Sequence, residues 1–399
     1  MIATAIELLL ALAWVVLAVP LLVLAVQVFA ALGARRGRAR ADGARPRVAV
    51  LMPAHNESTG LLQPVSTVLA QLRDGDRLLV VADNCSDDTA EVARAAGAEV
   101  IVRQDATLRG KGYALDFGVK HLAQDAPGVL VIVDADCELT PHALDRIVGD
   151  ASATGRPVQA LYLMRTPPGR EGRGSIAEFA WVVKNLVRPL GFHRLGLPCQ
   201  LMGTGMAFPW QAIQRTSLAS GHIVEDMQMG IDLARAGTPP LFCPDALVTS
   251  TFPANEEGTR SQRTRWEHGH LGVIVGQVPK LLAEGMVKPG RGLLSLALDL
   301  SVPPLALMAM LVAGLSLLSV VAAAAGVALW PLWVAVLATG LFGLAIVLSW
   351  HRFGREAISA SGLLRAVGYT LGKIPLYFRF LSSRQVEWVR SKRDAAETK

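Results

Sequence analysis

Cysteine is scarce in this chain, and its four copies stand far apart at Cys85, Cys137, Cys199 and Cys243. The sequence has no CxxC pair, so it supports neither a thiolate zinc site nor a disulfide framework. A reducing compartment is therefore expected. The chain also lacks internal repeats and low-complexity linkers, so its organisation has to be deduced from apolar runs and polar motifs.

Charge is absent from one long stretch near the N-terminus, between Leu8 and Gly33. At about 1.5 Å per residue, a helix of this length exceeds the roughly 30 Å of hydrocarbon that a spanning helix crosses. Glu7 precedes the stretch and a basic segment follows it, whereas a cleaved secretory signal carries its positive charge first. We predict a transmembrane helix at 1–34 and a basic juxtamembrane connector at 35–47 that touches anionic lipid.

Apolar residues make up 52% of the chain and the mean hydropathy is +0.38, which is too apolar for an ordinary soluble protein. A second apolar block, softened near residues 322–326, predicts a transmembrane hairpin at 293–350. Basic residues flank both ends of this hairpin. This pattern places the intervening region, 48–267, in the cytosol beside the inner (plasma) membrane of a multi-pass protein.

Two further stretches mix apolar residues with lysine and arginine. We predict an interfacial helix at 268–292, and another at 351–399 that ends in a polar basic tail. Cations such as Lys373 and Arg379 would be costly at mid-bilayer, which favours the headgroup plane over a fourth span. The net charge of +6 lies beside these apolar runs, so the expected partner is the lipid bilayer and not nucleic acid.

The middle of the chain alternates short β-rich runs with helical spacing, which predicts an α/β domain with a mainly parallel sheet. Helices with Asp, Ser or Pro near their starts are expected at 86–96, 113–123 and 141–151. The predicted strands are 48–52, 78–82, 100–102, 129–133 and 158–163. Ligands of such folds collect at the carboxyl ends of the strands, where this sequence places its acidic residues.

The first two predicted strands end in polar turns that are suited to a nucleotide. Backbone N–H groups at a helix start can receive phosphate, and a carboxylate at a strand tip can bind a base or ribose. For Ser86, Asp87 and Asp88, helix capping is the favoured alternative. The candidate nucleotide-binding residues here are Pro53, His55, Asn56, Glu57 and Asp83.

Asp134 and Asp136 directly follow the fourth predicted strand. Hard oxygen ligands in a cleft indicate Mg²⁺ or Mn²⁺, which would neutralise a diphosphate leaving group. Upstream lie Arg109 and Lys111 within an RGKG segment, which either approaches a phosphate or base or forms a solvated turn. The glycines of residues 202–206 allow a similar close approach to sugar or acceptor.

Glu225 and Asp226 open a helical run, where a carboxylate can act as general base or simply answer the helix macrodipole. Farther on, Gln262, Arg265 and Trp266 precede the first interfacial stretch. Arginine forks bind phosphate and an indole offers a flat face for a sugar, but an amphipathic helix anchored at the membrane surface has the same spacing.

In this order, PAHNE, DNCSDDT, RGKG, DAD, VED and QRTRW resemble the membrane-bound family 2 glycosyltransferases, which include cellulose and poly-N-acetylglucosamine synthases and ceramide glucosyltransferase. The resemblance covers about residues 48–270 and implies a GT-A fold with inverting transfer from a nucleotide-sugar, most often a UDP-sugar. By similarity Asp83 contacts the nucleobase, and the acidic residues of DAD hold ribose, diphosphate and metal. By the same similarity Asp226 is the general base that deprotonates the acceptor. Gln262, Arg265 and Trp266 fall on the QxxRW positions that hold the diphosphate and frame the acceptor site.

Two departures from the family pattern shape the expected acceptor. The chain has fewer predicted spans than channel-forming synthases, and VED stands where TED is common. We therefore expect one sugar to be added to a membrane-associated acceptor, first a polyprenyl-linked oligosaccharide of exopolysaccharide or cell-envelope glycan synthesis. The alternatives are a sphingoid, hopanoid or glycerol lipid acceptor, and a processive polysaccharide synthase that needs an export or synthase partner subunit.

Two other classes of function remain open from the residues alone. A nucleotidyltransferase also uses paired aspartates and a metal, but has no need of QRTRW beside an interfacial helix. A non-catalytic membrane scaffold would be expected to have lost an acidic motif, and this sequence retains all of them.

Overall fold

The computed structural model describes residues 1–33, 45–167, 173–221, 223–253, 256–288 and 290–382, which form two compact units. The helical unit lies within Met1–Ala34, Pro168–Gly196 and His270–Arg384, and the sheet unit lies within Arg35–Pro167 and Leu197–Gly269. Segment 173–196 thus belongs with the terminal helices, which the sequence boundaries do not reveal. Most of the predicted connector, 35–44, and the predicted tail, 383–399, lie outside the described residues.

Within the described residues, eight strands form the sheet, in the order β3-β2-β1-β4-β7-β6-β8-β5. They are β1 (Val48–Ala54), β2 (Arg77–Asp83), β3 (Glu99–Arg103), β4 (Val129–Ile132), β5 (Glu138–Leu139), β6 (Val158–Arg165), β7 (Met206–Pro209) and β8 (Leu241–Thr251). The first four pair in parallel, as do β6 and β8, whereas β7 and β5 run antiparallel to their neighbours. The five predicted strands are present, within a mixed sheet.

Sixteen helices accompany the sheet in the described parts of the chain. In chain order they are α1 (Ile2–Leu32), α2 (Leu62–Leu69), α3 (Thr89–Ala95), α4 (Lys111–Leu122), α5 (Ala143–Thr154), α6 (Arg173–Val182), α7 (Arg188–Arg194), α8 (Trp210–Ile213), α9 (Glu225–Arg235), α10 (Glu256–Gly276), α11 (Val278–Val287), α12 (Gly292–Ser301), α13 (Leu305–Ala324), α14 (Trp330–Ser349), α15 (Ala360–Leu371) and α16 (Ile374–Ser382). A π-helical turn, Val183–Val187, joins α6 to α7.

The core of the sheet unit explains why its strand sequences are continuous apolar runs. Leu51 of β1, Leu79 of β2 and Ile132 of β4 are fully buried in one cluster with residues of α4 and α9. Neighbouring residues on the opposite faces of these strands, such as Val50 and Val80, are buried as well. Strands covered on both faces show no alternation, which is the pattern of a doubly covered parallel sheet.

Three described helices of the helical unit are long and apolar enough to cross a membrane: α1, α13, and α14 with its continuation to Gly354. The predicted first span is thereby confirmed in length and composition. The predicted hairpin is corrected at its start, because 293–301 form the separate short helix α12 and the span begins only at Leu305. Pro303 and Pro304 explain the break, since proline removes a helical hydrogen bond and clashes with the preceding turn.

A polar cluster is buried within the helical unit, between α1, α7 and α12. Arg188 donates from Nη2 to Asp299 Oδ1 at 2.9 Å and from Nε to Gln27 Oε1 at 3.2 Å, and Gln27 Nε2 donates to Asp299 Oδ1 at 2.7 Å. A Cβ at Gly191 would overlap the Gln27 carbonyl, so glycine allows α7 to approach α1 this closely. The cluster fixes these helices to one another.

The regions predicted as interfacial are helical in their described residues. Segment 268–292 contains the end of α10, then α11 and the start of α12, with His268 and His270 buried. In α15 and α16, Leu364, Leu371 and Phe378 are exposed apolar residues. Their location in the headgroup plane stays a prediction.

Candidate active site

The tips of β1 and β2 are joined by hydrogen bonds between the two predicted nucleotide-binding turns. The His55 ring Nδ1 lies 2.7 Å from the Asp83 carbonyl oxygen. Asn56 exchanges two hydrogen bonds with Ser86, at 2.7 and 3.1 Å. Asn56, Ser58 and Asn84 all have positive φ values, which is uncommon outside glycine and marks a strained, closely held pair of turns.

The acidic residues that follow Asn84 organise these turns. Asp87 accepts from the backbone N–H and hydroxyl of Thr89, and Asp88 accepts from the Ser58 hydroxyl at 2.6 Å. Thr89 in turn accepts from the backbone N–H groups of Glu57 and Ser58. Asp88 is the N-cap residue of α3, but its side chain makes no capping hydrogen bond and binds Ser58 instead, so helix capping by this side chain was wrong. Pro53 is half-buried within β1, where it pairs with Val81.

Asp83 lies at the carboxyl end of β2 and is engaged by a residue that the sequence analysis did not single out. Arg103, at the end of β3, donates from Nη1 to Asp83 Oδ1 at 2.7 Å, and only about 10% of each side chain is exposed. The predicted base-binding carboxylate is therefore held by a buried ion pair.

The paired aspartates after β4 lie together with a thiol: ligand atoms of Asp134, Asp136 and Cys137 are within 4.8 Å of one another. Cys137 donates to Asp136 Oδ1 at 3.2 Å, and Ser250 donates to Asp136 Oδ2 at 3.3 Å. Burial, with the nearby carboxylates, raises the pKa of the Cys137 thiol well above its usual value. The thiol is therefore protonated, and the group offers a cation two carboxylates, an oxygen set that suits Mg²⁺ or Mn²⁺.

Lys111 connects the two acidic motifs. Its Nζ lies 2.5 Å from Asp134 Oδ1 and 3.8 Å from Glu225 Oε1, and it donates to the Gly203 carbonyl at 2.7 Å. Burial opposes the charge, but the neighbouring carboxylates outweigh it and raise the pKa of Lys111. The sequence placed Lys111 near the nucleotide, and the structure also links it to the predicted catalytic pair.

The loop of residues 202–206 is shaped by a buried glutamine. Gln159 donates from Nε2 to the Thr204 carbonyl at 2.8 Å and accepts from Met202 N at 2.7 Å. Thr204 then accepts from the backbone N–H of Asp134 through its hydroxyl. Gly203, at φ +90°, passes so near the site that a Cβ there would lie 3.5 Å from Asp226 Oδ2. The loop therefore joins the DAD motif to the start of α9.

Glu225 and Asp226 form the first turn of α9 and are both half-buried. Burial raises the pKa of Glu225, Asp226 adds to the rise, and Lys111 and Arg265 oppose it. Burial likewise raises the pKa of Asp134, with Asp136 adding to it and Lys111 opposing it. Both pKa shifts come first from burial and then from the neighbouring carboxylate, and a solvated pair at a helix N-terminus would show neither effect.

The three QxxRW positions lie on α10. Arg265 is close enough to act electrostatically on Glu225, and Trp266 is half-buried. Gln262 is buried, and within the described residues its Oε1 has no hydrogen-bond partner. Such an atom is costly unless a ligand or water satisfies it. Arg109, by contrast, is exposed.

Comparison with known proteins now identifies the family, because its model, described as glycosyltransferase like family 2, matches residues 46–269. The chain belongs to this family. It is therefore a family 2 glycosyltransferase.

Relatives and a solved structure agree with the family assignment. The 4,4'-diaponeurosporenoate glycosyltransferase of Staphylococcus haemolyticus is 36% identical over 210 residues, covering 48% of this chain and 52% of that one. An uncharacterized glycosyltransferase of Mycobacterium tuberculosis is 36% identical over 122 residues, covering 29% and 51%. The chain spans about half the length of these curated relatives.

The structural comparison bears on the fold. The mannosyltransferase PcManGT from Pyrobaculum calidifontis, solved with GDP-Man and Mn²⁺, has a TM-score of 0.59 and 17% identity, with 96% of this chain and 100% of that chain covered. At this identity the likeness shows the fold alone. The GT-A fold expected for this family 2 glycosyltransferase is confirmed.

Sequence reasoning missed four side chains that lie in or beside the site of this family 2 glycosyltransferase: Arg103, Gln159, Tyr162 and Ser250. Tyr162 and Ser250 interact with each other next to the paired aspartates. Polar residues inside otherwise apolar strands were the available signal, since Gln159 lies within β6 and Ser250 within β8. A buried polar residue in a strand needs a hydrogen-bond partner, and here the partners are site elements.

Proposed function

We propose that this family 2 glycosyltransferase transfers one sugar, with inversion, from a nucleoside-diphosphate donor to a lipid-linked or lipid acceptor in the membrane. The observation that carries the proposal is the charge of the site. Three carboxylates, those of Asp134, Glu225 and Asp226, act on Lys111. Asp136 adds a fourth negative charge beside Asp134, and Arg265 is a further cation that acts on Glu225. This surplus of negative charge favours binding of a divalent cation with its diphosphate.

On the donor side, Asp134 and Asp136 would hold Mg²⁺ or Mn²⁺, as their oxygen set fits such an ion. When bound, the cation supplies charge neutralisation to the leaving diphosphate. Ser250 and Cys137 orient the Asp136 carboxylate through their hydrogen bonds, and Lys111 holds that of Asp134. On α10, Arg265 would contact the diphosphate and Trp266 would frame the acceptor. The Gln262 amide oxygen, which has no partner among the described residues, would accept from an acceptor hydroxyl.

The base in this proposal is Asp226. Its Oδ1 accepts from the backbone N–H of Met227 at 2.8 Å, which orients the carboxylate at the start of α9. Its Oδ2 lies beside Gly203, where the absence of a side chain leaves room for the acceptor hydroxyl. Glu225, beside Lys111 and Arg265, acts in support by keeping that cation pair in place.

Two observations support a lipid acceptor. Three described helices are long and apolar enough to cross a membrane, and the charge pattern of the sequence favours a cytosolic sheet unit at the inner membrane. One relative is named for a discrete acceptor molecule, which favours single transfer over polymer growth. A polyprenyl-linked oligosaccharide and a smaller lipid both fit this description.

The test is release of nucleoside diphosphate by the full chain in lipid nanodiscs, with a panel of nucleotide-sugars and Mg²⁺ or Mn²⁺. We expect metal-dependent release from one donor that increases when lipid extract is added. Asp226→Asn should retain donor binding while turnover falls by about 10²- to 10⁴-fold. The matched control is Asp116→Asn, which removes an α4 surface carboxylate that pairs only with Lys120 among described residues.

The outcomes separate the alternatives. Equal turnover in Asp226→Asn and in the unmodified chain would remove Asp226 from the role of base. Donor binding without turnover, even with lipid extract, would point to a missing partner subunit. A chain that neither binds nor turns over any donor would be a scaffold.

A further inference from the structure

We infer that Arg103 sets the nucleobase specificity of the donor site, by occupying one oxygen of Asp83 and leaving the other as a single acceptor for the imide N–H of uracil or thymine. The inference rests on the proposed function, since it assumes that a nucleoside diphosphate binds here. It assigns the donor's base class to a contact within the sheet rather than to the phosphate-binding residues.

The register of the sheet creates the contact. β2 and β3 run parallel, and Asp83 and Arg103 are direct partners at their carboxyl ends. The Arg103 Nη1 donates to Asp83 Oδ1 at 2.7 Å, and the Asn84 side-chain amide donates to the same oxygen at 3.1 Å. An sp² carboxylate oxygen has two lone-pair directions, so Oδ1 is saturated by these two donors.

The second oxygen of Asp83 is in a different condition. Among the described residues no donor reaches Oδ2, although Asp83 lies at a strand tip where nucleotides bind in such folds. The carboxylate therefore presents one strong acceptor and not two.

Arg103 is itself fixed, so it cannot readily release Oδ1. Its Nη2 donates to the Leu108 carbonyl at 2.7 Å and to Asp105 Oδ2 at 3.2 Å. Its guanidinium also lies 5.7 Å from the centre of the Tyr113 ring, within cation–π range. Asp105 is in turn held by Asn84, whose side-chain oxygen accepts from the Asp105 backbone N–H at 2.8 Å.

The chemistry of the bases then decides which one fits a single acceptor. Uracil and thymine each present one imide N–H between two carbonyl oxygens. A single free carboxylate oxygen matches that donor, whereas a second free oxygen would face a carbonyl and repel it. Guanine presents two adjacent donors, N1–H and the 2-amino group, and needs both carboxylate oxygens. A site with one oxygen occupied leaves one guanine donor unsatisfied, and unpaired buried polar groups are the strongest source of discrimination.

The experiment measures binding of UDP, dTDP, GDP and inorganic pyrophosphate to the full chain in nanodiscs with Mn²⁺, by titration calorimetry. We expect UDP and dTDP to bind at least about 10-fold more tightly than GDP, in line with the cost of one unpaired donor. In Arg103→Met, affinity for UDP should fall and the UDP-to-GDP preference should shrink to within about threefold. Pyrophosphate has no base, so its affinity should be the same in both proteins.

Arg77→Met is the matched control, because Arg77 forms a comparable ion pair with Glu99 at the opposite end of β2 and β3. It should leave the UDP-to-GDP ratio unchanged. If Arg103→Met does not fold, Asp83→Asn provides the second measurement: it should lose UDP affinity and keep pyrophosphate affinity.

A preference for GDP in the unmodified chain, or an unchanged ratio in a folded Arg103→Met, would overturn the inference while leaving the proposed function intact. If neither pyrophosphate nor any nucleoside diphosphate binds, the proposed function itself fails.

Discussion

The two units each contain a buried or half-buried cluster of charged side chains, and the clusters differ in balance. In the helical unit, Arg188 meets one carboxylate, Asp299, and only 4% and 3% of these side chains are exposed. In the sheet unit, Lys111 meets Asp134 and Glu225 with further carboxylates beside them, and 18% of Lys111 and 31% of Asp134 are exposed. The first cluster is balanced and closed, and the second is negative and open.

This difference in charge balance distinguishes a structural cluster from a ligand-binding one, although both are built from the same types of residue. A balanced, fully hydrogen-bonded pair needs no further ligand, so its role is to hold helices together. In the second cluster, burial and the neighbouring carboxylates raise the pKa values of Asp134 and Glu225 although Lys111 opposes the rise, so an added cation would stabilise the charged carboxylates further. Each cluster therefore predicts a different response when its charges are removed.

The largest expected effect concerns stability in the helical unit. Arg188→Met leaves the Asp299 carboxylate buried without its cation and the Gln27 amide oxygen without its donor, which typically costs about 3–5 kcal/mol. Equilibrium unfolding in nanodiscs, followed by tryptophan fluorescence, measures this loss. Replacing all three members, as Gln27→Leu, Arg188→Met and Asp299→Leu, removes every unsatisfied group. The free energy of unfolding of the triple variant should be within about 1.5 kcal/mol of that of the unmodified chain. A triple variant as unstable as Arg188→Met would contradict a purely structural role.

The second effect concerns turnover in the sheet unit. Lys111→Met should lower turnover by about 10²- to 10³-fold, the range seen when one preorganised charge is lost from a site. In this cluster the double variant Lys111→Met with Asp134→Leu should not regain turnover, because the Asp134 carboxylate is itself needed to hold the cation. The control on the same helix is Lys120→Met with Asp116→Leu, which removes a surface pair at 2.7 Å and should retain activity. Recovery of turnover in the Lys111–Asp134 double variant would mean that this cluster is structural too.

The sequence predicts the fold where a single segment carries the signal. β1, β2 and β4 are buried on both faces, so their apolar runs are continuous and easily recognised. β5 has only two residues, and β8 contains Pro244 and a register shift opposite Ala160 and Leu161, so neither shows a strand pattern. Segment 173–196 mixes apolar and charged residues in sequence, and only its contacts assign it to the helical unit.

The site residues that the sequence predicts are likewise those whose signal lies within a single segment. Asp134, Asp136 and Asp226 were predicted because they lie at strand or helix ends. The structure brings Asp134 and Asp226 to Lys111, and Asp136 lies beside Asp134. Their individual roles stay predictions. Arg103 was missed because its predicted strand ended at Val102, and its partner Asp83 is 20 residues away. Asp299 interrupts an apolar block without indicating Gln27 or Arg188, its partners in other segments. Partners distant in sequence become visible only with the register and the packing.

The smallest effect tests whether the closed character of the helical unit extends to His270 on α10. This ring is buried, lies 3.1 Å from the Leu300 carbonyl oxygen, and has its pKa lowered to about 3 by burial and by the nearby Lys184 and Arg188. An unfolded histidine titrates near 6.5, so below that pH the unfolded state binds the proton and the folded state does not.

The contribution of neutral His270 to the free energy of unfolding should therefore be fully present above about pH 6.5. It should fall as the pH decreases towards 3. Between pH 7.5 and 5.5 the loss from this one group is about 1.4 kcal/mol. His270→Gln retains a donor for the Leu300 carbonyl but does not titrate. Between pH 7.5 and 5.5 the free energy of unfolding of this variant should therefore fall by about 1.4 kcal/mol less than that of the unmodified chain. Since all other groups titrate alike in the two proteins, the difference isolates His270. Equal pH dependence would mean that the ring is solvated or protonated in the folded state, and the helical unit would then be less closed than its charged cluster indicates.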